Sequence, residues 1–99
     1  DGGIDALYRD LALVIGVIHE MNNPADNADT AELSLRLAPL TADGNPWRHS
    51  AMEITALLEE QAGNRNQARE LFTRLGNDAT APRGVRSRAN EMLAAFGQK

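Results

Sequence analysis

The sequence predicts an all-α fold, and three observations support this prediction. Apolar residues recur at steps of three and four along nearly the whole chain, which is the period of an amphipathic helix. Alternating runs of β-branched or aromatic residues, which would indicate strands, are missing from the sequence. Proline and glycine divide the periodic pattern into segments with short connections, which favours antiparallel neighbours. With 99 residues, the chain has the size of one small domain.

The first predicted helix covers about residues 4–21. Its main apolar stripe has members three or four residues apart and is expected to face the core. Leu13 and Val17 are also apolar but lie off this stripe, so the helix needs a neighbour on a second side, which is expected to be either a missing upstream helix or a partner chain. These two residues are therefore candidates for contacts with another copy of the chain. The main stripe consists of Ile4, Leu7, Tyr8, Leu11, Val14, Ile15, Ile18 and Met21.

The second predicted helix covers about residues 30–38. The Asn-Asn-Pro sequence at 22–24 ends the first helix, because proline cannot continue it. A polar loop follows, and Asp29 or Thr30 can cap the N-terminus of the next helix. Pro39 is expected to end that second helix.

The third predicted helix opens at Asn45-Pro46, where the asparagine can cap the helix and proline fits the first turn. Gly63 is expected to end it, because glycine readily adopts the left-handed backbone conformation that closes many helices. Its predicted apolar face consists of Trp47, Ala51, Ile54, Leu57 and Leu58.

The last two predicted helices follow directly. Asn64 is expected to cap the fourth helix, with Gln67 completing a capping box. Gly76 ends this helix, and a short polar stretch leads to Pro82. The fifth helix then extends to about Phe96.

The helices form a repeated pair. The segment Glu32-Leu33-x-x-Arg36-Leu37 recurs 38 residues later as Glu70-Leu71-x-x-Arg74-Leu75. Both copies place glutamate four residues before arginine, the order that favours an ion pair on a helix surface. Tyr8-Arg9 likewise recurs as Trp47-Arg48. We therefore expect one helix pair at about 4–38, a second at about 46–75, and a helix at about 82–96 that caps the exposed apolar end of the stack.

The helix pairs resemble tetratricopeptide repeats, which are helix pairs of about 34 residues. In the second pair, the residues at the spacing of that family's small-and-aromatic pattern are Ala56, Gly63, Ala68 and Phe72. The resemblance implies that the pairs stack as a short right-handed solenoid. It also implies that the first helix of each pair lines a concave groove, and that the domain binds other proteins.

A narrower resemblance rests on Tyr8-Arg9-Asp10-Leu11-Ala12, on Asn45-Pro46-Trp47-Arg48-His49-Ser50-Ala51 and on Gly63-x-x-x-x-Ala68. These segments look like the C-terminal half of the tetratricopeptide-like proteins similar to the ancillary subunit of the bacterial SecYEG translocon. Members of that family carry an N-terminal membrane anchor and a periplasmic domain, and they have no catalytic residues. The resemblance implies a fragment of a longer inner-membrane protein, with this domain in the periplasm, acting near the translocon or with periplasmic chaperones.

Composition and charge exclude several classes of protein. Because the sequence has no cysteine, neither a disulfide framework nor a thiolate zinc site is possible. The net charge of −4 disfavours binding to nucleic acid or to an anionic membrane. Three arginines between 83 and 88 have no aromatic residue among them on which bases could stack. The longest apolar run, residues 11–18, is far shorter than the roughly 20 residues of a membrane span.

No motif predicts catalysis, a metal or a cofactor. His19 lacks the second histidine four residues later that a zinc-peptidase helix requires, and His49 is the other histidine of the chain. The acidic cluster at 26–29 lacks the glycine and the spacing of a calcium loop, so loop solvation and helix capping explain it better. An enzyme or metal-binding domain built on the two histidines is a third interpretation, which requires them to lie within reach of one metal ion.

Two other interpretations of the function are favoured. The first is a non-catalytic protein–protein interaction module, whose groove is formed by residues of the first helices that face away from the core. The second is a homo-oligomerisation or structural scaffold domain that uses Leu13 and Val17. Tyr8 and Trp47 are expected to lie in the core, with contact to a bound peptide as the alternative. The candidate protein-binding residues are Arg9, Ala12, Arg48, His49 and Met52.

Overall fold

A computed structural model describes residues 2–22 and 29–97, and all regular structure in these two ranges is helical. The all-α class is therefore confirmed for the part of the chain that the structure describes. The predicted break at Pro24 and the residues 26–28 of the acidic cluster lie outside it. The elements are α1 (Gly2–Met21), α2 (Thr30–Leu37), a 3₁₀ helix (Ala38–Thr41), α3 (Arg48–Gln61), α4 (Arg65–Gly76) and α5 (Arg83–Gly97).

The predicted start of α2 is confirmed, and its end agrees with the prediction to within one residue, although the chain continues as a 3₁₀ helix. The Asp29 side chain accepts hydrogen bonds from the backbone N–H groups of Ala31 at 3.0 Å and Glu32 at 3.4 Å. At the other end, Pro39 does not stop the chain from being helical. It occupies the first turn of the 3₁₀ helix, where the N–H that proline lacks is not needed.

Two predicted caps on the second pair are wrong. The Asn45 side chain accepts from the Trp47 N–H at 2.8 Å, so it closes a turn, and α3 begins only after that turn. Asn64 occupies the N-cap position of α4, but its side chain forms no capping bond there; its amide nitrogen donates to Glu59 Oε1 at 3.3 Å. Gly63 behaves as predicted, since its φ of +87° is the left-handed conformation.

Helix α3 lies at the centre of the molecule. It packs against α2 and the 3₁₀ helix on one side and against α4 on the other, while α1 packs on α2 and α5 on α4. The described residues extend over 49 × 36 × 17 Å, so the helices form a thin stack instead of one round core. The buried side chains accordingly divide into two clusters, one on each side of α3.

We name the two clusters by their place in the chain. The N-terminal core joins α1, α2, the 3₁₀ helix and α3, and consists of Val14, Val17, Leu33, Leu37, Leu40, Ala51, Ile54 and Leu58. The C-terminal core joins α3, α4 and α5, and consists of Met52, Ala56, Ala68, Phe72, Leu75, Ala81, Val85, Ala89 and Phe96. The rings of Phe72 and Phe96 meet edge to face, with their centroids 5.9 Å apart.

The orientation of α1 differs from the prediction. Val14 and Val17 are buried, whereas Tyr8 is 65% exposed and Ile15 is 56% exposed. The prediction that Tyr8 lies in the core was therefore wrong. The physical reason is that α1 is apolar around most of its circumference, so periodicity does not decide which apolar side meets α2 and α3. Trp47 is half-buried against the N-terminal core, and its indole N–H donates to the Leu7 carbonyl at 3.3 Å.

The repeated Glu–Arg motif forms an ion pair in one copy only. Arg36 is paired with Glu32 at 2.6 Å and with Glu20 of α1 at 2.6 Å. Within residues 2–22 and 29–97, the corresponding pair of Glu70 and Arg74 is not formed. The Arg74 side chain instead lines a cavity between α2, α3 and α4.

Candidate functional site

The candidate residues Arg48 and His49 lie in a polar cluster that joins the start of α3 to the turn before α5. Arg48 pairs with Asp43 at 3.1 Å and with Asp78 at 3.6 Å, and it donates to the Thr80 hydroxyl at 3.2 Å. His49 Nε2 lies 2.9 Å from Asp78 Oδ2 and 2.9 Å from Arg48 Nη2. Both candidates are therefore engaged within the chain, and each is mostly shielded from solvent.

The cluster lacks the geometry of a nucleophilic relay. Such a relay needs a hydroxyl at one imidazole nitrogen and a carboxylate at the other. Here Thr80 Oγ1 at 3.4 Å and Asp78 Oδ2 at 2.9 Å both lie at the same nitrogen, Nε2 of His49. The Thr80 hydroxyl moreover donates to Asp78 Oδ1 at 2.6 Å, so its proton is not directed at the histidine. The arrangement stabilises a turn and does not activate an oxygen nucleophile.

Asp78 is the acceptor at the centre of this cluster. The hydroxyl and the backbone N–H of Thr80 donate to its carboxylate, and these bonds, with that to His49, hold the pKa of Asp78 well below its ordinary value of 3.8. The folded state therefore favours the ionised carboxylate more than the unfolded state does. Sequence analysis did not identify Asp78 or Thr80, although an Asp followed by Thr two residues later is typical of a hydrogen-bonded turn.

We predict that Asp78→Asn lowers stability at neutral pH and makes stability depend less on pH in the acidic range. The native pKa lies below the unfolded one, so the contribution of Asp78 is complete above pH 3.8 and declines as the pH falls further. The difference in the free energy of unfolding between parent and variant, measured with urea, should therefore become smaller as the pH is lowered from 5 to 2.5. Asp43→Asn is the matched control, since the Asp43 side chain is 99% exposed. A gap that is constant across this range would contradict the prediction.

Met52 was expected to face away from the core, and this expectation was wrong. Its side chain is buried in the C-terminal core and forms part of the wall of a cavity of about 180 Å³. This volume resembles that of cavities known to hold a benzene-sized group. Ser34 also lines the cavity, and its buried hydroxyl lacks a hydrogen-bond partner among the described residues. The other residues of the wall are Ala38, Thr41, Thr55, Leu71 and Arg74.

The candidate oligomer contacts Leu13 and Val17 also face inward. Val17 is completely buried in the N-terminal core, and Leu13 packs against that core while half-buried. The expectation that these side chains are free for a second copy was therefore wrong. Helix α2 and helix α3 are the neighbours that cover this side of α1.

A contiguous apolar surface lies on the other side of α1. We call it the α1 face and define it by Leu7, Tyr8, Ala12, Ile15 and Ile18, all of which are exposed. Two of the candidate protein-binding residues lie on the exposed part of this helix: Ala12 within the α1 face, and Arg9, whose side chain is 79% exposed. Exposed apolar side chains grouped on one helix are typical of a surface that contacts another molecule.

The basic residues of α5 are partly paired within the chain. Arg88 donates two hydrogen bonds to Glu53 of α3, at 2.6 and 3.0 Å. Those bonds raise the pKa of Arg88. Arg65 and Arg69 of α4 lie over the Phe96 ring, at 5.0 and 5.9 Å from its centroid.

The two histidines lie in different surroundings. His19 is exposed in the last turn of α1, and His49 is bound to the Asp78 cluster. Within the described residues, no three histidine or carboxylate side chains are grouped so that they could hold a metal ion. In the same residues, no helix combines the length and the apolar character that crossing a membrane requires.

No protein-family model, curated protein or solved structure matches the chain. The family resemblances therefore remain interpretations of the sequence.

Proposed function

We propose that this chain is a non-catalytic protein–protein interaction module that contacts its partner through the α1 face. The exposed apolar surface of that face is the observation that carries the proposal. Leaving apolar area in water is unfavourable by about 25 cal/mol for each Å², so covering Tyr8 and Ile15 would stabilise a complex. Tyrosine is also among the residues that contribute most to binding at protein interfaces.

The order of helix packing supports a stacked-pair architecture for this module. Each helix packs against the next one in the chain, and α3 also touches α1 and α5, the first helices of the neighbouring units. This is the pattern expected when successive pairs stack on each other. We propose that the stack is a short, right-handed, tetratricopeptide-like solenoid in which α5 serves as the cap.

The finer proposal about partner and location rests on the resemblance to the ancillary translocon family. The residues that carry it are the segments at 8–12, 45–51 and 63–68. On this basis, we propose a membrane-anchored bacterial envelope protein with this domain in the periplasm. Its partners would be components of the translocon or periplasmic chaperones.

Co-purification of the full-length protein from its own membranes tests the proposal. We expect Ile15→Asp to reduce recovery of the partner at least about tenfold, since loss of a well-packed interface residue costs about 1.4 kcal/mol or more. Circular dichroism should show unchanged helix content, because Ile15 makes no part of either core. The control Ser87→Asp places the same charge on an exposed position of α5 and should recover the partner fully.

Two outcomes would contradict this proposal. If the parent and Ile15→Asp recovered the same amount of partner, the α1 face would not be the binding surface. The parent could instead recover only further copies of its own chain, and Ile15→Asp could abolish that recovery. This result would favour homo-oligomerisation through the α1 face.

A further inference from the structure

The α1 face has a counterpart in the second helix pair. Tyr8-Arg9 recurs as Trp47-Arg48, which is an offset of 39 residues between α1 and α3. Applied along both helices, this offset pairs Tyr8 with Trp47, Ala12 with Ala51, Ile15 with Ile54 and His19 with Leu58.

The paired positions differ sharply in burial. On α3, Ala51, Ile54 and Leu58 are buried in the N-terminal core, and Trp47 packs against it. On α1, all four counterparts are exposed, including Ile15, although isoleucine occupies both positions of its pair. The difference comes from the neighbours, because α3 has a preceding helix pair to pack against and α1 has none among the described residues.

The neighbour of α3 shows what such a surface accommodates. The residues that share the N-terminal core with α3 include Leu33 and Leu37 of α2, which are four positions apart and therefore on one side of that helix, and Leu40 of the 3₁₀ helix. The Leu7 carbonyl of α1 accepts the indole N–H of Trp47. The preceding pair thus presents two features to α3. The first is a row of leucine side chains, which we call the leucine edge (Leu33, Leu37 and Leu40), and the second is a backbone carbonyl that accepts a hydrogen bond.

We propose that the α1 face binds a helix pair that presents a leucine edge like that of α2, so that it forms an interface between stacked pairs. Ala12 and Ile15 would pack on these leucines as Ala51 and Ile54 do. The Tyr8 hydroxyl would donate to a backbone carbonyl in the place that the Trp47 indole has in the second pair. This inference rests on the proposed function and specifies the kind of partner.

A second folded copy of the chain does not fit this description. Its α2 leucines are already covered by α3, so they are not available to another molecule. The outer side of its C-terminal helix is mainly polar, with the exposed residues Arg83, Ser87, Asn90 and Glu91. The leucine edge must therefore come from a helix pair other than those of a folded copy.

A tandem duplication of residues 7–45 tests this inference directly. In the longer chain, α2 of the first copy precedes α1 of the second copy at the same spacing by which α2 precedes α3 in the parent. We expect a single cooperative urea transition with a midpoint above that of the parent, because the second α1 face becomes covered. Ile15→Asp in the second copy should lower this midpoint or split the transition. The same substitution in the first copy, where the face stays exposed, is the matched control and should leave the midpoint unchanged.

Three outcomes would overturn the inference. The added unit could unfold in a separate transition, or Ile15→Asp could act equally in both copies. Sedimentation could instead show that the parent forms dimers which Ile15→Asp dissociates, and the occupant would then be a second copy. Because the duplication supplies its own helix pair, its result is independent of whether a partner is found by co-purification.

Discussion

Replacing Val17 with aspartate is expected to destabilise the fold by about 3–5 kcal/mol. Val17 is completely buried between α1, α2 and α3. The substitution removes an apolar side chain whose burial contributes about 1.5–3 kcal/mol. It also places a carboxyl group where the buried neighbours are apolar, which costs at least the ~1–3 kcal/mol of burying an unpaired neutral polar group. A small domain has a total stability of only about 5–15 kcal/mol, so most of the chain is expected to unfold at low urea concentration.

Ile15→Asp is the matched control, because it makes a similar change two residues away on the same helix. Ile15 lies on the α1 face and outside both cores, so its replacement should change stability by no more than about 0.5 kcal/mol. Urea unfolding followed by circular dichroism measures both variants. If Ile15→Asp were the more damaging substitution, α1 would pack with its other apolar side inward, and the proposed binding face would be lost.

Phe72→Ala should have an effect of similar size, about 3–5 kcal/mol, through loss of apolar contacts and a residual cavity. Phe72 is 1% exposed and lies in the C-terminal core. Its ring also makes the edge-to-face contact with Phe96, which joins α4 to α5. Without that contact, we expect α5 to pack less stably against α4.

The control for Phe72→Ala is Leu35→Ala, since Leu35 is 73% exposed on α2. Removal of an exposed apolar side chain should leave the urea midpoint almost unchanged. Hydrogen exchange of α5 provides a second measurement, in which the Phe72 variant should lose protection first at that helix. Equal midpoints for the two variants would show that α5 is held mainly by other contacts, such as the ion pair of Arg88 with Glu53.

Of the candidate binding residues, the structure leaves Arg9 and Ala12 of α1 exposed, whereas those of α3 are engaged or buried within the chain. Arg48 and His49 are occupied by Asp78 and Thr80, and Met52 lies in the wall of a cavity. The sequence around Arg48 and His49 does not predict the contacts with Asp78 and Thr80, which lie about 30 positions away, although Asp43, the other acid of the cluster, is close in sequence. The repeat offset of 39 residues becomes informative about the α1 face once the burial of the aligned residues is known. It aligns Ile15 with Ile54, so that burial of one without the other indicates a missing neighbour.

Sequence alone determined the helical class, most helix boundaries, a cap at Asp29 or Thr30 and the left-handed turn at Gly63. These features depend on neighbours within about four positions, where periodicity and side-chain chemistry act directly. Tertiary structure alone decided which side of α1 faces inward and which acids hold Arg48 and Arg88. Helix α1 is apolar on more than one side, and a charged side chain can reach several partners. Only the arrangement of the other helices selects among these local possibilities, which is why Val17 became core and Ile15 became surface.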